Sequence, residues 1–180
     1  MIIWISGPYG VGKSTLAELM AARMENACRF DAEEVGNAVR DNYPDHPRGV
    51  IFEDYPLWGE FCCRLLKDIH ASCRKDILVP MTLLRKASCG IIGELRRARI
   101  DTRLVILEAS YQTVRDRILA RGEDEGCWCM EHIELSRSGS SALPGLHVAT
   151  DGKTAGELCE LVLSHLFADP SLSYGKQPPF

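Results

Sequence analysis

The apolar positions of the chain fall into short continuous runs that are separated by stretches with helical spacing. Residues 1–6 form an apolar, largely β-branched run, which predicts a buried strand. Leu16, Met20 and Met24 then recur at helical spacing, which predicts a helix that begins near Lys13. The alternation continues along the chain, and it indicates a parallel sheet covered by helices on both faces, the α/β class.

The later elements follow from the same alternation of patterns. Further strands are predicted at residues 28–31, 76–82, 103–107 and 146–150. Helices are predicted at 33–40, 57–72, 89–99, 112–121, 130–137 and, after a cap at Thr154, up to 166. Pro, Asp and Gly in residues 41–56 predict a loop or a broken insertion. We expect a single domain over residues 1–167 and a loose tail over 168–180.

A phosphate-binding motif, G-x-x-x-x-G-K-[ST], lies between the first strand and the first helix. Its glycines let the chain wrap closely around a polyphosphate with its N–H groups pointing inward, and the helix N-terminus adds positive charge. Lys13 is expected to reach the β- and γ-phosphates, and Ser14 to bind Mg²⁺. ATP and Mg²⁺ are therefore the predicted cofactors. The predicted nucleotide-binding residues of the loop are Gly7, Tyr9, Gly10, Val11, Gly12, Lys13, Ser14 and Thr15.

Composition narrows the possible partners. The 180 residues carry a net charge of −4 and give a pI near 5.7, so nucleic acid, which usually needs a basic face, is not an expected partner. No apolar run approaches the length of a transmembrane helix, and the first strand is too short for a signal-peptide core. We therefore expect a cytoplasmic protein. Its oligomeric state cannot be inferred from these features.

Eight cysteines are many for a chain of this length. Without a secretion signal we expect reduced thiols, most of them packed as small apolar groups. Cys127, Cys129 and His132 form a cluster that could bind zinc, but the C-x-C spacing is not that of a zinc finger. Unreactive cysteines in a lid are the alternative interpretation.

Several short motifs beyond the phosphate-binding loop occur together in one family of proteins. They are Phe30-Asp31-Ala32-Glu33, Ala38-Val39-Arg40, Tyr55-Pro56-Leu57-Trp58, Val79-Pro80-Met81-Thr82, Arg117 with Arg121, Trp128 and Thr150-Asp151. With the phosphate-binding loop, they resemble the bacterial tunicamycin-resistance proteins over about residues 1–166. The resemblance implies an architecture similar to chloramphenicol phosphotransferase and the nucleotide kinases. The implied fold is a three-layer P-loop NTPase sandwich, with five parallel strands in the order 2-3-1-4-5 and a small lid at about 121–137.

Asp31, directly after the second strand, is the predicted general base. Transfer of a phosphoryl group to an alcohol needs a carboxylate beside the reacting hydroxyl. The alternative is that Asp31 caps the following helix, because Glu34 stands three residues later, and the two roles are compatible. Glu33 is a weaker candidate that we expect to be exposed.

Arg117 and Arg121 lie four residues apart, on one face of a helix that leads into the predicted lid. They are predicted to neutralise charge on the transferring phosphoryl group or to hold the nucleotide. A solvated basic face is the alternative. Thr150 and Asp151 follow the fifth strand, where adenine binds in kinases of this architecture, although Asp151 could simply form a turn.

The acceptor is expected to contact residues from several segments. Arg40 could hold a polar group, with an ion pair to Asp41 or Glu34 as the alternative. Tyr55 and Trp58 offer aromatic area for a base or sugar, although Trp58 could equally belong to the core. Thr82 ends a strand at the ligand edge and could donate a hydrogen bond. Phe61 is expected to be a core residue.

These residues together favour an ATP-dependent phosphotransferase that acts on a hydroxyl of a small molecule. By resemblance, the acceptor would be a nucleoside-like or glycosidic antibiotic, and the protein would confer resistance. The alternatives are an ATP-dependent protein that sequesters the antibiotic without modifying it, and a kinase for a nucleotide or metabolite. A Walker B acid is not evident in the sequence, which argues against a motor ATPase.

Overall fold

A parallel sheet organises the protein in the computed structural model, which describes residues 1–44 and 51–168. Within these residues five strands pair in the order β2-β3-β1-β4-β5, all parallel, so the predicted fold class is confirmed. The strands are β1 (Ile2–Ser6), β2 (Ala27–Arg29), β3 (Asp76–Pro80), β4 (Thr102–Glu108) and β5 (Leu146–Ala149). Because β1 is the central strand, the glycine-rich loop leaves the middle of the carboxyl edge of the sheet.

Helices connect the strands and cover the sheet. The described helices are α1 (Lys13–Arg23), α2 (Ala32–Arg40), α3 (Pro56–Cys73), α4 (Gly90–Arg97), α5 (Tyr111–Ala120), α6 (Trp128–Glu131), α7 (Ile133–Ser141) and α8 (Ala155–Ala168). Two 3₁₀ turns, Phe52–Asp54 and Lys86–Cys89, precede α3 and α4. In this part of the chain, no helix has both the length and the apolar character needed to cross a bilayer.

Two apolar cores lie on opposite faces of the sheet, because successive residues of a strand point to opposite sides. Ile2 and Trp4 of β1 belong to a core that they share with α2, α3 and α4. Ile3 and Ile5 belong to the other core, with α1, α5 and α8. These four side chains have no exposed surface. The arrangement is a three-layer sandwich in which the phosphate-binding loop is anchored on a buried strand.

Local differences from the predictions concern the ends of elements. β2 stops at Arg29, so that Asp31 precedes α2 outside any strand. The single helix predicted at 130–137 is two helices that meet at His132. The predicted loop at 41–56 contains a 3₁₀ turn, and its residues 45–50 lie outside the described residues. The predicted tail lies outside them as well, except Ala168, which ends α8.

The structure also bears on three predictions about side chains. Phe61, expected in the core, is 43% exposed on α3, because Trp58 and Cys62 occupy the buried face of that helix. All eight cysteines lie in the described ranges and none is paired in a disulfide. Thr154 caps α8, since its hydroxyl accepts a hydrogen bond from the N–H of Glu157 at 3.3 Å.

Candidate functional site

A cavity of about 630 Å³ opens at the carboxyl edge of the sheet, around the glycine-rich loop. Its wall includes Glu33, which follows β2, and Lys153, which follows β5. The cavity wall therefore includes residues that follow both edge strands, β2 and β5. The carboxyl edge is where open α/β sheets bind their ligands.

The loop of residues 7–12 has the backbone that its glycines allow. Gly7 has a φ of 142°, and a Cβ at this position would lie 2.5 Å from the carbonyl oxygen of Leu107. Gly12, with a φ of 105°, is the N-cap of α1. Residues that carry a Cβ rarely adopt these φ angles, so the wrapped loop depends on glycine at both positions.

Lys13 is the buried cation of the site. Its side chain lies in the cavity wall and is 8% exposed, and its Nζ donates hydrogen bonds to the carbonyl oxygens of Gly7 (3.1 Å) and Pro8 (2.8 Å). Burial lowers the pKa of Lys13 to about 8, and the negative charge of Glu33 partly opposes this shift. Two neutral carbonyl groups compensate poorly for a buried charge, so the amine favours an anionic ligand.

The first turn of α1 offers hydroxyl groups to the same cavity. Ser14 and Thr15 are exposed and line it. A hydroxyl group beside a phosphate-binding loop fits the oxygen ligands that Mg²⁺ prefers when it binds together with phosphates. The residues present therefore match the predicted magnesium site at Ser14.

Arg117 of α5 and Arg121, which directly follows this helix, both line the cavity, but in different settings. Arg117 donates from Nη1 to the carbonyl oxygen of Val11 and to Oγ1 of Thr150, both at 2.9 Å. Thr150 is 1% exposed, so it supports Arg117 from within the protein. Arg121 is 51% exposed and pairs with Glu123 at 2.6 Å. The first guanidinium is held by the protein, whereas the second can change partners at little cost, because an exposed ion pair is weak.

Asp151 lies apart from this cavity. Its carboxylate accepts hydrogen bonds from the N–H (3.0 Å) and hydroxyl (3.0 Å) groups of Ser110 and from the hydroxyl of Thr113. These bonds, first that from Thr113, lower the pKa of Asp151. Asp151 lines a second cavity, on the side of β4 and β5 that faces α7. The structure thus uses this carboxylate to fasten the start of α5, outside the wall of the cavity around the phosphate-binding loop.

Asp31 has the capping role that the sequence left open. Its Oδ1 accepts hydrogen bonds from the N–H groups of Glu33 (3.0 Å) and Glu34 (3.2 Å) at the start of α2. Asp31 is exposed and is not part of the cavity wall, whereas Glu33 is. Glu33, which the sequence made a weaker candidate than Asp31, thus lines the cavity together with the phosphate-binding loop.

The two aromatic residues predicted for the acceptor are buried. Trp58 is 2% exposed, and its Nε1 donates to the carbonyl oxygen of Ala32 at 2.9 Å. Tyr55 is 6% exposed, and its hydroxyl has no hydrogen-bond partner among the described residues. Neither ring lines the cavity, because α3 turns this face toward the core.

Arg40 and Thr82 likewise bond to the protein. Arg40 donates to Oδ1 of Asp41 (3.1 Å) and to Oδ1 of Asn37 (2.9 Å), as in the ion-pair alternative, and does not reach the cavity. Thr82 is 3% exposed, and its hydroxyl donates to the carbonyl oxygen of Gly7 at 2.9 Å. Thr82 therefore positions the loop from behind.

Glu53, which sequence reasoning missed, does not line the cavity, but its charge adds to the rise in the pKa of Tyr9 that burial causes. Its carboxylate accepts hydrogen bonds from the N–H groups of Leu84 (2.6 Å) and Arg85 (3.2 Å) and from the hydroxyl of Ser88. Burial raises its pKa. No local signal marks it, since it lies in a single 3₁₀ turn and its partners are 31 to 35 residues later in the chain.

The segment predicted as a lid is partly built into the core. The rings of Trp128 and Tyr9 pack edge to face with their centroids 4.8 Å apart, and Met130 and Ile133 are buried. Cys129 lines the cavity, and burial raises its pKa. Among the residues that the structure describes, no three His, Cys, Asp or Glu side chains are grouped to hold a metal ion, Cys127 and His132 included.

Comparison with solved structures shows which fold this is. The tunicamycin resistance protein of Deinococcus radiodurans has a TM-score of 0.73 at 21% identity, over 92% of this chain and 95% of that one. A sugar kinase from Janibacter sp. has a TM-score of 0.68 at 14% identity, over 97% and 98%. The APS kinase of Mycobacterium tuberculosis, solved in complex with AMPPNP and APS, has a TM-score of 0.64 at 15% identity, over 92% and 96%.

These similarities extend over nearly the full length of each chain and show a P-loop kinase fold. The first of them agrees with the resemblance seen in the sequence. No protein-family model matches the chain, and no curated protein matches it in sequence. At identities this low the likeness establishes the fold, and the chemistry has to be argued from the site itself.

Proposed function

We propose that this protein transfers the terminal phosphoryl group of Mg·ATP to a hydroxyl group of a small molecule. The observation that carries the proposal is the setting of Lys13, a buried amine at a glycine-wrapped loop, in a cavity of about 630 Å³. A phosphoryl transferase needs such a cation beside its phosphates and room for an acceptor in line with them. The kinase fold of the chain supports the same conclusion.

The nucleotide would occupy the half of the cavity on the β5 side. Arg117, Lys153 and Leu158 line that half, and they offer positive charge together with apolar surface for a base. Arg117 is predicted to act from a fixed position, because it bonds both the loop and Thr150. Arg121 would break its ion pair with Glu123 and bind the transferring phosphoryl group instead. This arginine would be the contribution of the proposed lid over residues 121–137.

Magnesium is the proposed metal, held by the hydroxyl of Ser14 together with phosphate oxygens. When bound, Mg²⁺ neutralises charge on the phosphates during transfer. Lys13 supplies the fixed positive charge of the protein itself at the same place.

The acceptor would occupy the other half, on the β2 side, between Tyr9, Pro80 and Glu33. A carboxylate at the start of α2 takes the proton of the acceptor hydroxyl; the candidates are Asp31, the N-cap of that helix, and Glu33 in its first turn. Trp58 and Thr82 would act indirectly, since Trp58 holds the start of α2 and Thr82 holds the loop at Gly7. We propose a nucleoside-like or glycosidic antibiotic as the acceptor, on the strength of the likeness to the Deinococcus radiodurans protein.

Mass spectrometry tests the proposed reaction. The protein is incubated with Mg·ATP and a panel of nucleoside antibiotics, nucleosides and sugars, and one acceptor is expected to gain the mass of a phosphoryl group. The variant Lys13→Ala, which removes the buried cation, is expected to lose both nucleotide binding and transfer. Tight binding of an antibiotic whose mass never changes would instead indicate sequestration. Absence of any affinity for a nucleoside triphosphate in calorimetry would contradict the proposal as a whole.

A further inference from the structure

Three carboxylates follow β2 within four positions, and the structure gives each a different environment. Asp31 caps α2 through Oδ1. Glu34 is exposed and is not part of the cavity wall. Glu33 is also exposed, and it lines the cavity together with the phosphate-binding loop, Arg117 and Arg121. One carboxylate of the three is therefore available to a ligand in that cavity.

We infer that Glu33, rather than Asp31, is the carboxylate that accepts the proton of the acceptor hydroxyl. This inference rests on the proposed phosphotransferase function and assigns one step of it. In that step the acceptor oxygen forms a bond to the γ-phosphorus of ATP, while its proton passes to the carboxylate of Glu33. The bond between the γ-phosphorus and the bridging oxygen breaks, and its electron pair stays on ADP.

The backbone around Glu33 is held in place, as a general base requires. Its own N–H donates to Asp31, and the preceding carbonyl, that of Ala32, accepts the bond from Trp58. Trp58 is almost fully buried, so it fixes the first turn of α2 to the core. Asp31 thereby serves the site by positioning Glu33, because a capping oxygen that receives two N–H groups is directed at its own helix.

Electrostatic coupling across the cavity agrees with this placement. The negative charge of Glu33 raises the pKa of Lys13 and adds to the rise in the pKa of Tyr9, which burial causes in the main. Both of these side chains belong to the phosphate-binding loop. Glu33 therefore acts across the space in which the γ-phosphate and the acceptor would meet.

Matched single-charge variants test the assignment with an acceptor identified by the mass-spectrometric panel. Glu33→Gln is expected to lower kcat about 10²-fold or more, the usual contribution of a general base, with a much smaller change in the KM for ATP. Glu34→Gln, which removes the same charge one residue away, is expected to retain kcat. Asp31→Asn is expected to lower kcat far less than Glu33→Gln does, because asparagine caps helices as well as aspartate does and so keeps Glu33 in position.

A second measurement does not depend on knowing the acceptor. If the carboxylate of Glu33 faces the γ-phosphate, its removal relieves a repulsion that ATP experiences more than ADP. Glu33→Gln should then raise the affinity for Mg·ATP relative to Mg·ADP by about threefold or more in calorimetry. Glu34→Gln should leave that ratio unchanged.

The possible outcomes separate this inference from the proposed function. A wild-type protein that binds Mg·ATP but phosphorylates no acceptor contradicts the function, and an unchanged ATP-to-ADP affinity ratio in Glu33→Gln then overturns the placement of Glu33 too. An active wild type with a fully active Glu33→Gln overturns the inference alone. The inference alone is also overturned if Asp31→Asn loses turnover while Glu33→Gln keeps it. Recovery of turnover by Glu33→Gln in excess magnesium would overturn it too, because Glu33 would then be a metal ligand.

Discussion

Arg117 and Thr150 are joined by a hydrogen bond of 2.9 Å between Nη1 and Oγ1, and Nη2 of Arg117 also donates to the carbonyl oxygen of Thr150 at 3.3 Å. The same Nη1 donates to the carbonyl oxygen of Val11 in the glycine-rich loop. One guanidinium therefore fixes the phosphate-binding loop, which follows β1, to the turn after β5. The phosphate end and the base end of the proposed nucleotide site are thus positioned together.

Removal of this guanidinium should weaken nucleotide binding. For Arg117→Ala we expect a Kd for Mg·ATP at least about tenfold higher in calorimetry, because hydrogen bonds of charged groups contribute about 1.5–3 kcal/mol each. Thr150→Val keeps the shape but loses one acceptor, so its effect should be smaller. Arg115→Ala is the matched control, since Arg115 pairs with Glu125 away from the cavity. Equal Kd values for the two arginine variants would contradict the role given to Arg117.

The pKa of Lys13 makes a prediction about pH. Burial lowers it to about 8, and bound phosphates would raise it again by stabilising the charged amine. At pH values between the pKa of Lys13 in the free protein and its higher pKa in the complex, the complex holds more protons than the free protein. Affinity for Mg·ATP therefore falls as the pH rises through about 8. Binding should therefore take up more protons at about pH 9 than at about pH 7, as calorimetry in buffers of different ionisation enthalpy can show.

A control variant identifies the lysine responsible for that proton uptake. Lys153→Gln removes the other lysine of the cavity wall and should leave the uptake as in the wild type. Proton uptake that disappears in this variant, or an affinity that is constant across the range, would show that Lys13 is not the titrating group.

The conformation of Gly7 makes a prediction about stability. Gly7→Ala would place a Cβ 2.5 Å from the carbonyl oxygen of Leu107 at a φ of 142°, so we expect the free energy of unfolding to fall by about 2–3 kcal/mol. Gly90→Ala is the control, because a Cβ there meets nothing within 4 Å and its φ is helical. Urea denaturation measures both, and a loss in Gly90→Ala as large as that in Gly7→Ala would count against the steric explanation.

The cap at Asp31 can be measured separately from any catalytic effect. Asp31→Ala leaves two N–H groups of α2 without their acceptor, and we expect a loss of about 1 kcal/mol in the free energy of unfolding. Asp31→Asn should retain nearly all of it, since the amide oxygen can accept the same bonds. Equal stability of wild type and Asp31→Ala in urea denaturation would show that the cap does not contribute.

Local patterns predicted the sheet and the phosphate-binding loop because both depend on short-range chemistry. Continuous apolar runs, helical spacing and a glycine motif lie within a few residues of one another, and each strand of the sheet is near its predicted place. The cap at Thr154 was predictable for the same reason. The strand order itself came from a resemblance and agrees with the structure.

Side-chain partners far apart in the sequence were not predictable in this way. Trp58 belongs to the core, where its indole N–H donates to the carbonyl oxygen of Ala32. The carboxylate of Asp151, after β5, accepts hydrogen bonds from Ser110 and Thr113, which follow β4. Glu53 bonds the segment that follows β3. These contacts depend on how α2, α3 and α5 pack on the sheet, which no local pattern contains.

The sequence by itself thus determined that a glycine-wrapped loop with a lysine follows a buried strand and opens a helix, because motif and periodicity are properties of neighbouring residues. Only the tertiary structure decided which polar side chains share the cavity with that loop. Glu33 lines it and Asp31 does not, although they are two residues apart, because the cap turns Asp31 back onto its own helix.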